Sequence, residues 1–158
     1  MANPQMDPVR NSGKAIVIRD ECLLVITHRD EDGDWYSLPG GGQEAGETLT
    51  AALQRECLEE LGVGVLVGPL RFIREYIGAN HEFSREDAGF HQVDFMFECS
   101  LVGDTPDSPP SNPDKSQTGI AWLALDGLPT SRLYPKELRS KLAGGIDATA
   151  AVYLGDVN

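Results

Sequence analysis

Positive charge is what this chain has least of. Its 13 Lys and Arg stand against 25 Asp and Glu, for a formal net charge of -12. A surface that grips nucleic acid needs clustered Lys and Arg to displace counterions, and docking on anionic lipid needs them too. Neither partner is expected here. A small phosphate-bearing molecule would also be repelled unless cations bridged it to the protein. Cysteine is sparse and unpatterned. Cys22, Cys57 and Cys99 are odd in number, widely spaced and free of any C-x-x-C. That excludes a disulfide framework or a zinc knuckle, and each sits in an apolar stretch as a small core residue would. No run approaches the roughly 20 apolar residues of a membrane span. The opening MANPQMDPVRNSGK has no apolar segment of the kind a secretory leader carries. These absences point to a cytoplasmic protein with no membrane partner.

What remains is ordinary globular material, 41% hydrophobic and 24% charged over 158 residues, enough for one domain. Residues 1–12, polar and with two prolines, are expected as a flexible lead-in. Residues 13–143 are expected as the folded domain and 144–158 as a tail whose AAVYL run packs on the body. Lys14–Arg19 and Cys22–His28 predict a hairpin around Asp20-Glu21. Val63–Val67 and Pro69–Tyr76 predict two further strands, and Ile77–Gly89 a polar loop. In 90–101, Val93, Phe95, Phe97 and Cys99 alternate with Gln92, Asp94, Glu98 and Ser100, which predicts a strand with an apolar and a solvent-facing side. Gly103–Thr118, with four prolines, predicts a long loop, Ile120–Leu125 a strand, and Pro135 the start of a short helix. The class is a mixed α/β sandwich.

The clearest helix spans Thr48–Leu61. Leu49, Leu53, Cys57 and Leu61 recur every four residues, and Gly62 follows where a left-handed glycine closes helices. On that helix Glu56, Glu59 and Glu60 fall within an arc of roughly 100°. Their arc borders the apolar stripe instead of lying opposite it. Like charges at i,i+3 and i,i+4 repel, and partial burial strengthens the repulsion. A divalent cation bound by these oxygens would offset the cost, and an all-carboxylate set suits Mg²⁺ or Mn²⁺. Arg55 can hold a neighbouring carboxylate with its planar fork. Gly40, Gly41 and Gly42 let backbone approach a ligand closely, so a carbonyl there could complete a metal shell. Glu47 can accept backbone N–H groups and brace the loop before the helix. A solvated acidic face is the ordinary reading of a glutamate pair alone. Here the features are joined at fixed offsets over residues 41–63.

That stretch, GGQEAGETLTAALQRECLEELGV, resembles the Nudix hydrolase signature G-x5-E-x7-R-E-U-x-E-E-x-G-U, where U is a bulky apolar residue. Gly41, Glu47, Arg55, Glu56, Glu59, Glu60, Gly62 and Val63 fall on it, with Cys57 at the first U position. The flanking WYSLPGGGQEAGE, AWLAL and LYPKEL also look like family sequence, so the resemblance covers about residues 13–143. It implies a Nudix fold, a mixed β-sheet sandwiched between α-helices. It implies a divalent-metal-dependent pyrophosphohydrolase that cleaves the diphosphate linkage of a small-molecule nucleoside diphosphate derivative with a metal-activated water. Glu56, Glu59 and Glu60 are then the expected metal ligands, with the Gly40 or Gly41 carbonyl beside them. Glu56 or Glu59 is the expected base, Arg55 orients Glu56, and Gly41, Glu47 and Gly62 are structural. A homodimer is compatible with the resemblance.

Relatives often supply one more acid from the loop before the closing tryptophan. Here Gln117 stands near that place, and Asp114, Asp94 and Glu98 are the alternatives. Asp94 and Glu98 are expected to face solvent. Trp35, Tyr76 and Phe90 are candidates to stack on a base. Neither the proline nor the tyrosine marker of two substrate subgroups follows the box, so nucleotide sugars, ADP-ribose, damaged nucleotides and dinucleoside polyphosphates all stay open. Two other readings compete: a non-catalytic Nudix-fold nucleotide-sensing module, and a prenyl diphosphate isomerase that would want a nucleophilic Cys in its pocket.

Overall fold

The computed structural model describes residues 7–105 and 117–158. Strands β1 (Arg10–Ile16), β2 (Ile18–Arg19), β3 (Cys22–Asp30), β4 (Gly33–Ser37) and β5 (Gly40–Gly42) precede helix α1 (Leu49–Leu61). Strands β6 (Val65–Ile77), β7 (His91–Leu101), β8 (Gln117–Ala124) and β9 (Leu133–Tyr134), helix α2 (Glu137–Lys141) and strand β10 (Tyr153–Asp156) complete the order. One sheet runs β10-β6-β7-β1-β5; the other runs β2-β3-β4-β9, with β8 paired on β3.

Period-two alternation explains why both faces of the central strands are apolar. Ile16, Leu23 and Val25 enter one core with Phe72, Met96, Leu128, Leu138 and Leu142, on the α2 side. Their neighbours Ala15, Val17, Leu24 and Ile26 enter a second core with Leu53, Cys57 and Leu61 of α1. The chain is an α/β protein with mixed strands between helices, as its sequence pattern implies.

Three local features differ from the sequence expectation, while the AAVYL run of the tail packs on the body, with Ala150 and Leu154 against the first core. Strand β1 starts at Arg10, inside the segment expected as a loose lead-in, because Arg10–Ile16 pairs in parallel with residues 92–98 of β7. The two strands expected before Ile77 are one strand, β6, whose pairing with β7 slips between Val67 and Phe72. Pro69 lies in that irregular stretch, where a missing backbone donor is tolerated. A Cβ at Gly68 would lie 2.7 Å from the Glu98 carbonyl oxygen, so a glycine is needed there. In the tail, β10 pairs in parallel with the edge of β6. Lastly, Asp94 does not face solvent. It is 1% exposed, because the side of β7 read as solvent-facing points into the molecule at Asp94 and Met96. The expected hairpin is present as β2–β3, and Asp20 and Glu21 both adopt positive φ, 51° and 56°, as a tight primed turn requires.

Candidate active site

Helix α1 owes its start and end to its own sequence. The Thr48 hydroxyl accepts from the Ala51 amide at 3.1 Å, and Gly62, at φ 71°, sends its N–H to the Leu58 carbonyl. Burial of Leu53, Cys57 and Leu61 then fixes the rotation of the helix and turns Glu56, Glu59 and Glu60 toward β5. All three line one polar cavity of about 260 Å³ with Gly40, Gly41 and Gly42.

Arg55 is the hub of the acidic side. Its guanidinium donates to Glu47 at 2.7 Å, to Glu56 at 2.8 Å and to the Gly42 carbonyl at 3.1 Å, and lies 3.6 Å from Glu59. The hydrogen bonds from Glu47 and then Glu56 raise its already high pKa, so it stays charged throughout the accessible range. In return Arg55 holds the Glu47 carboxyl below its usual value, helped by the Glu44 amide at 2.9 Å. Glu60 is 7% exposed. It accepts from the Gly40 amide at 3.2 Å and from the Gln117 side chain at 3.3 Å. The residue standing where an extra acid was sought therefore reaches the cavity, but as a donor.

Two glycines bear on the site, and only Gly40 is required by backbone. A Cβ on Gly41 would sit 2.5 Å from the Glu56 carboxyl carbon. Gly40 has φ 134°, and a Cβ there would collide with backbone of Gly13.

Among the described residues no three His, Cys, Asp or Glu side chains form a ready-made metal cage. Arg55, the Gly40 amide and Gln117 share the carboxylates out instead. The donor set still fits a hard divalent cation: three glutamates and the backbone of Gly40–Gly42 border one cavity, an all-oxygen set.

Four residues of this cavity were not singled out as site residues from the sequence: Gln92 of β7, and Arg10, Ser12 and Lys14, which alternate along β1 and line one wall. For the three on β1 the signal was present in R-N-S-G-K, where every second residue is polar at the start of an otherwise apolar strand.

A second cavity, about 520 Å³, adjoins the first and shares Lys14 and Gln92 with it. Trp35, Tyr76, Phe83 and Tyr134 give it aromatic walls. Trp35 stacks on His28 at 4.0 Å and meets Tyr134 edge-on at 6.0 Å. Asp94 lies in its lining, bonded by Arg74 at 2.7 Å and by Gln92 at 2.7 Å. Burial alone would raise the Asp94 pKa, but Lys14 and Arg74 together hold it below the usual value. Of the other candidates, Phe90 packs 6.1 Å from Tyr76 without lining either cavity. Glu98 pairs with Arg71 at 2.8 Å and also lines neither. Asp114 lies outside the described residues.

A family model described as the NUDIX domain matches residues 9–142. The chain belongs to the NUDIX domain family. Within this family it is 33% identical over 113 residues to the human protein named 8-oxo-dGDP phosphatase NUDT18, and 30% identical to its mouse counterpart. Those matches cover 71% of this chain and 31% of each relative, so the NUDIX chain spans about a third of the length of the curated relatives it matches. Among solved structures, a MutT NUDIX hydrolase from Burkholderia pseudomallei is 25% identical, with a TM-score of 0.66 over 84% of this chain and 96% of that one. A NUDIX hydrolase from Nitrosomonas europaea shares the fold at 23% identity, with a TM-score of 0.64 over 79% and 78%. No helix among the described residues of this NUDIX chain is long and apolar enough to cross a membrane.

Proposed function

We propose that the chain is a divalent-metal-dependent pyrophosphohydrolase acting on a nucleoside diphosphate derivative. One observation carries this reading: a glutamate-lined polar cavity opens beside an aromatic one, and Lys14 and Gln92 belong to both. A nucleoside fits the aromatic side, where Trp35 and Tyr134 present ring faces and edges. Its phosphates then fall on the acidic side.

Glu56, Glu59, Glu60 and the Gly40 carbonyl would hold Mg²⁺ or Mn²⁺. That ion neutralises phosphate charge and lowers the pKa of water. The remaining work falls to the chain. Arg55 fixes Glu56 in place. Glu60 is fixed by Gly40 and Gln117. The Glu59 side chain is the most open of the three, 44% exposed, with Arg55 no nearer than 3.6 Å. It is the carboxylate best placed to accept a proton from the attacking water, while Glu56 holds the charge beside it. Water oxygen bonds to phosphorus as the bridging P–O bond breaks, and the leaving phosphate takes the electron pair.

The names of the relatives at 30–33% identity put 8-oxo-dGDP first among substrates to try. The test is incubation with Mg²⁺ and 8-oxo-dGDP, ADP-ribose, a UDP-sugar and a dinucleoside polyphosphate, with products separated by chromatography. Cleavage of at least one, abolished in Glu60→Gln, is expected. Binding without cleavage of any panel member would favour a nucleotide-sensing module. The isomerase reading lacks its nucleophile among the two buried cysteines: burial pushes the Cys57 thiol far up and Cys99 up to about 11.

A further inference from the structure

We propose that Arg10, Ser12 and Lys14 form a phosphate-binding track along β1, carrying the substrate's phosphate groups from the aromatic cavity to the acidic one. The inference rests on the pyrophosphohydrolase reading and assigns the residues that hold its substrate. Alternate residues of a strand share a face, so the three side chains stand in one row about 6.6 Å apart. All three line the acidic cavity, and Lys14 also lines the aromatic one.

Two features of this row are left unexplained by the fold alone. The Ser12 hydroxyl is wholly buried and has no hydrogen-bond partner. Its neighbour across the sheet, in register on β7, is Asp94. The two Asp94 oxygens are already bonded by Arg74 and Gln92. A buried hydroxyl left unpaired is costly, and a phosphate oxygen is an acceptor that would satisfy it. The second feature is Lys14. Its ammonium has three N–H donors and gives one to the Gly40 carbonyl at 3.3 Å. Its charge also helps keep Asp94 ionised, but the direct 2.7 Å contact to that carboxylate is made by Arg74. Two donors of Lys14 therefore remain at the junction of the cavities. In a chain of net charge -12, this row sets positive charge opposite the three glutamates, where an anion would otherwise be repelled.

The test is calorimetric titration with the α,β-methylene diphosphates of guanosine, adenosine and uridine, which resist cleavage between the phosphates, and with the three parent nucleosides. Wild type, Lys14→Met, Lys14→Arg and Ser12→Ala are compared in Mg²⁺ buffer. Lys14→Met is expected to weaken the best-bound diphosphate about tenfold or more, and Lys14→Arg to recover most of that loss. Ser12→Ala is expected to weaken it about threefold to tenfold. Affinity for the nucleoside should not move, and the salt dependence of diphosphate binding should flatten in Lys14→Met. If wild type binds a diphosphate and the variants bind it equally well, the track is overturned while the proposed function stands. Equal weakening of nucleoside and diphosphate would make Lys14 a mere wall residue and also overturn it. If wild type binds none of the three diphosphates at millimolar concentration, the proposed function falls, and the track with it.

Discussion

The two adjoining cavities are built in opposite ways. The acidic one draws its carboxylates from little more than one turn of one helix and its backbone from one glycine run. The aromatic one takes Trp35 from β4, Tyr76 from β6, Phe83 from the segment before β7, Asp94 from β7 and Tyr134 from β9. A site built from one helix face can be read from spacing, since i,i+3 and i,i+4 offsets fix which side chains meet. A site assembled from five separate segments is fixed only by tertiary packing. The same contrast separates the expected roles: chemistry on the compact side, choice of substrate on the dispersed side.

The contrast can be broken at either end. The largest effect is expected from Glu56→Gln. It removes a charge fixed by Arg55 and should cost about 3–5 kcal/mol of transition-state stabilisation, roughly 10²–10⁴-fold in kcat, with KM little changed. Steady-state kinetics on the cleaved panel member would check this, and an equal loss in KM alone would blur the division of labour. Gly41→Ala should follow, because its Cβ would displace the Glu56 carboxylate; a shift of that kind costs about 10²-fold in kcat.

On the dispersed side, Arg74→Met is expected to act on stability. It removes the one ion pair in direct contact with Asp94, 1% exposed, and leaves Gln92 and the more distant Lys14; breaking such a pair costs about 3–5 kcal/mol, read as a fall in melting temperature of about 10 °C. Asp94 itself supplies a pH test. Its folded pKa is depressed, so its stabilisation is present above the unfolded carboxylate value and lost as pH falls through the lower folded one. Denaturant midpoints of wild type should therefore exceed those of Asp94→Asn from neutral pH to about pH 4, then converge in stronger acid. The smallest effect is expected from Trp35→Ala, which removes one stacking surface and should raise KM about tenfold with kcat held. If Trp35→Ala instead lowers kcat alone, chemistry and recognition are not divided between the cavities.

Much of the frame was legible because its causes are local. Thr48 and Gly62 cap α1 through bonds within four residues of themselves, and the apolar stripe sets its buried face. The glutamate arc followed from that rotation. Gln117 could be placed near the site by position, yet its bond to Glu60 depends on how β8 lies against β3, which no spacing records. Asp94 was misread for a physical reason. Alternation along 90–101 separates polar from apolar residues, but both faces of β7 are covered, so a polar residue can be the buried one when Arg74 meets it. β6 was read as two strands because Gly68-Pro69 punctuates the sequence, whereas in the sheet it marks only a local slip in pairing. Arg10 and Ser12 escaped notice because the lead-in looked unstructured until β7 was there to pair with it, and Lys14 because it was read only as the start of a strand.

That pairing has a consequence in time. β1 and β7 are parallel partners some 80 residues apart, Arg10 beside Gln92 and Ile16 beside Glu98. During synthesis α1 is complete before β7 emerges, so its glutamates form an acidic ridge while Gln92 and Gln117 of the cavity wall are still untranslated. Contacts of such long sequence separation close slowly. Ligand competence should thus arrive late and all at once, with the docking of β7, and an amide-exchange experiment on the refolding protein would see β1 and β7 become protected together after α1.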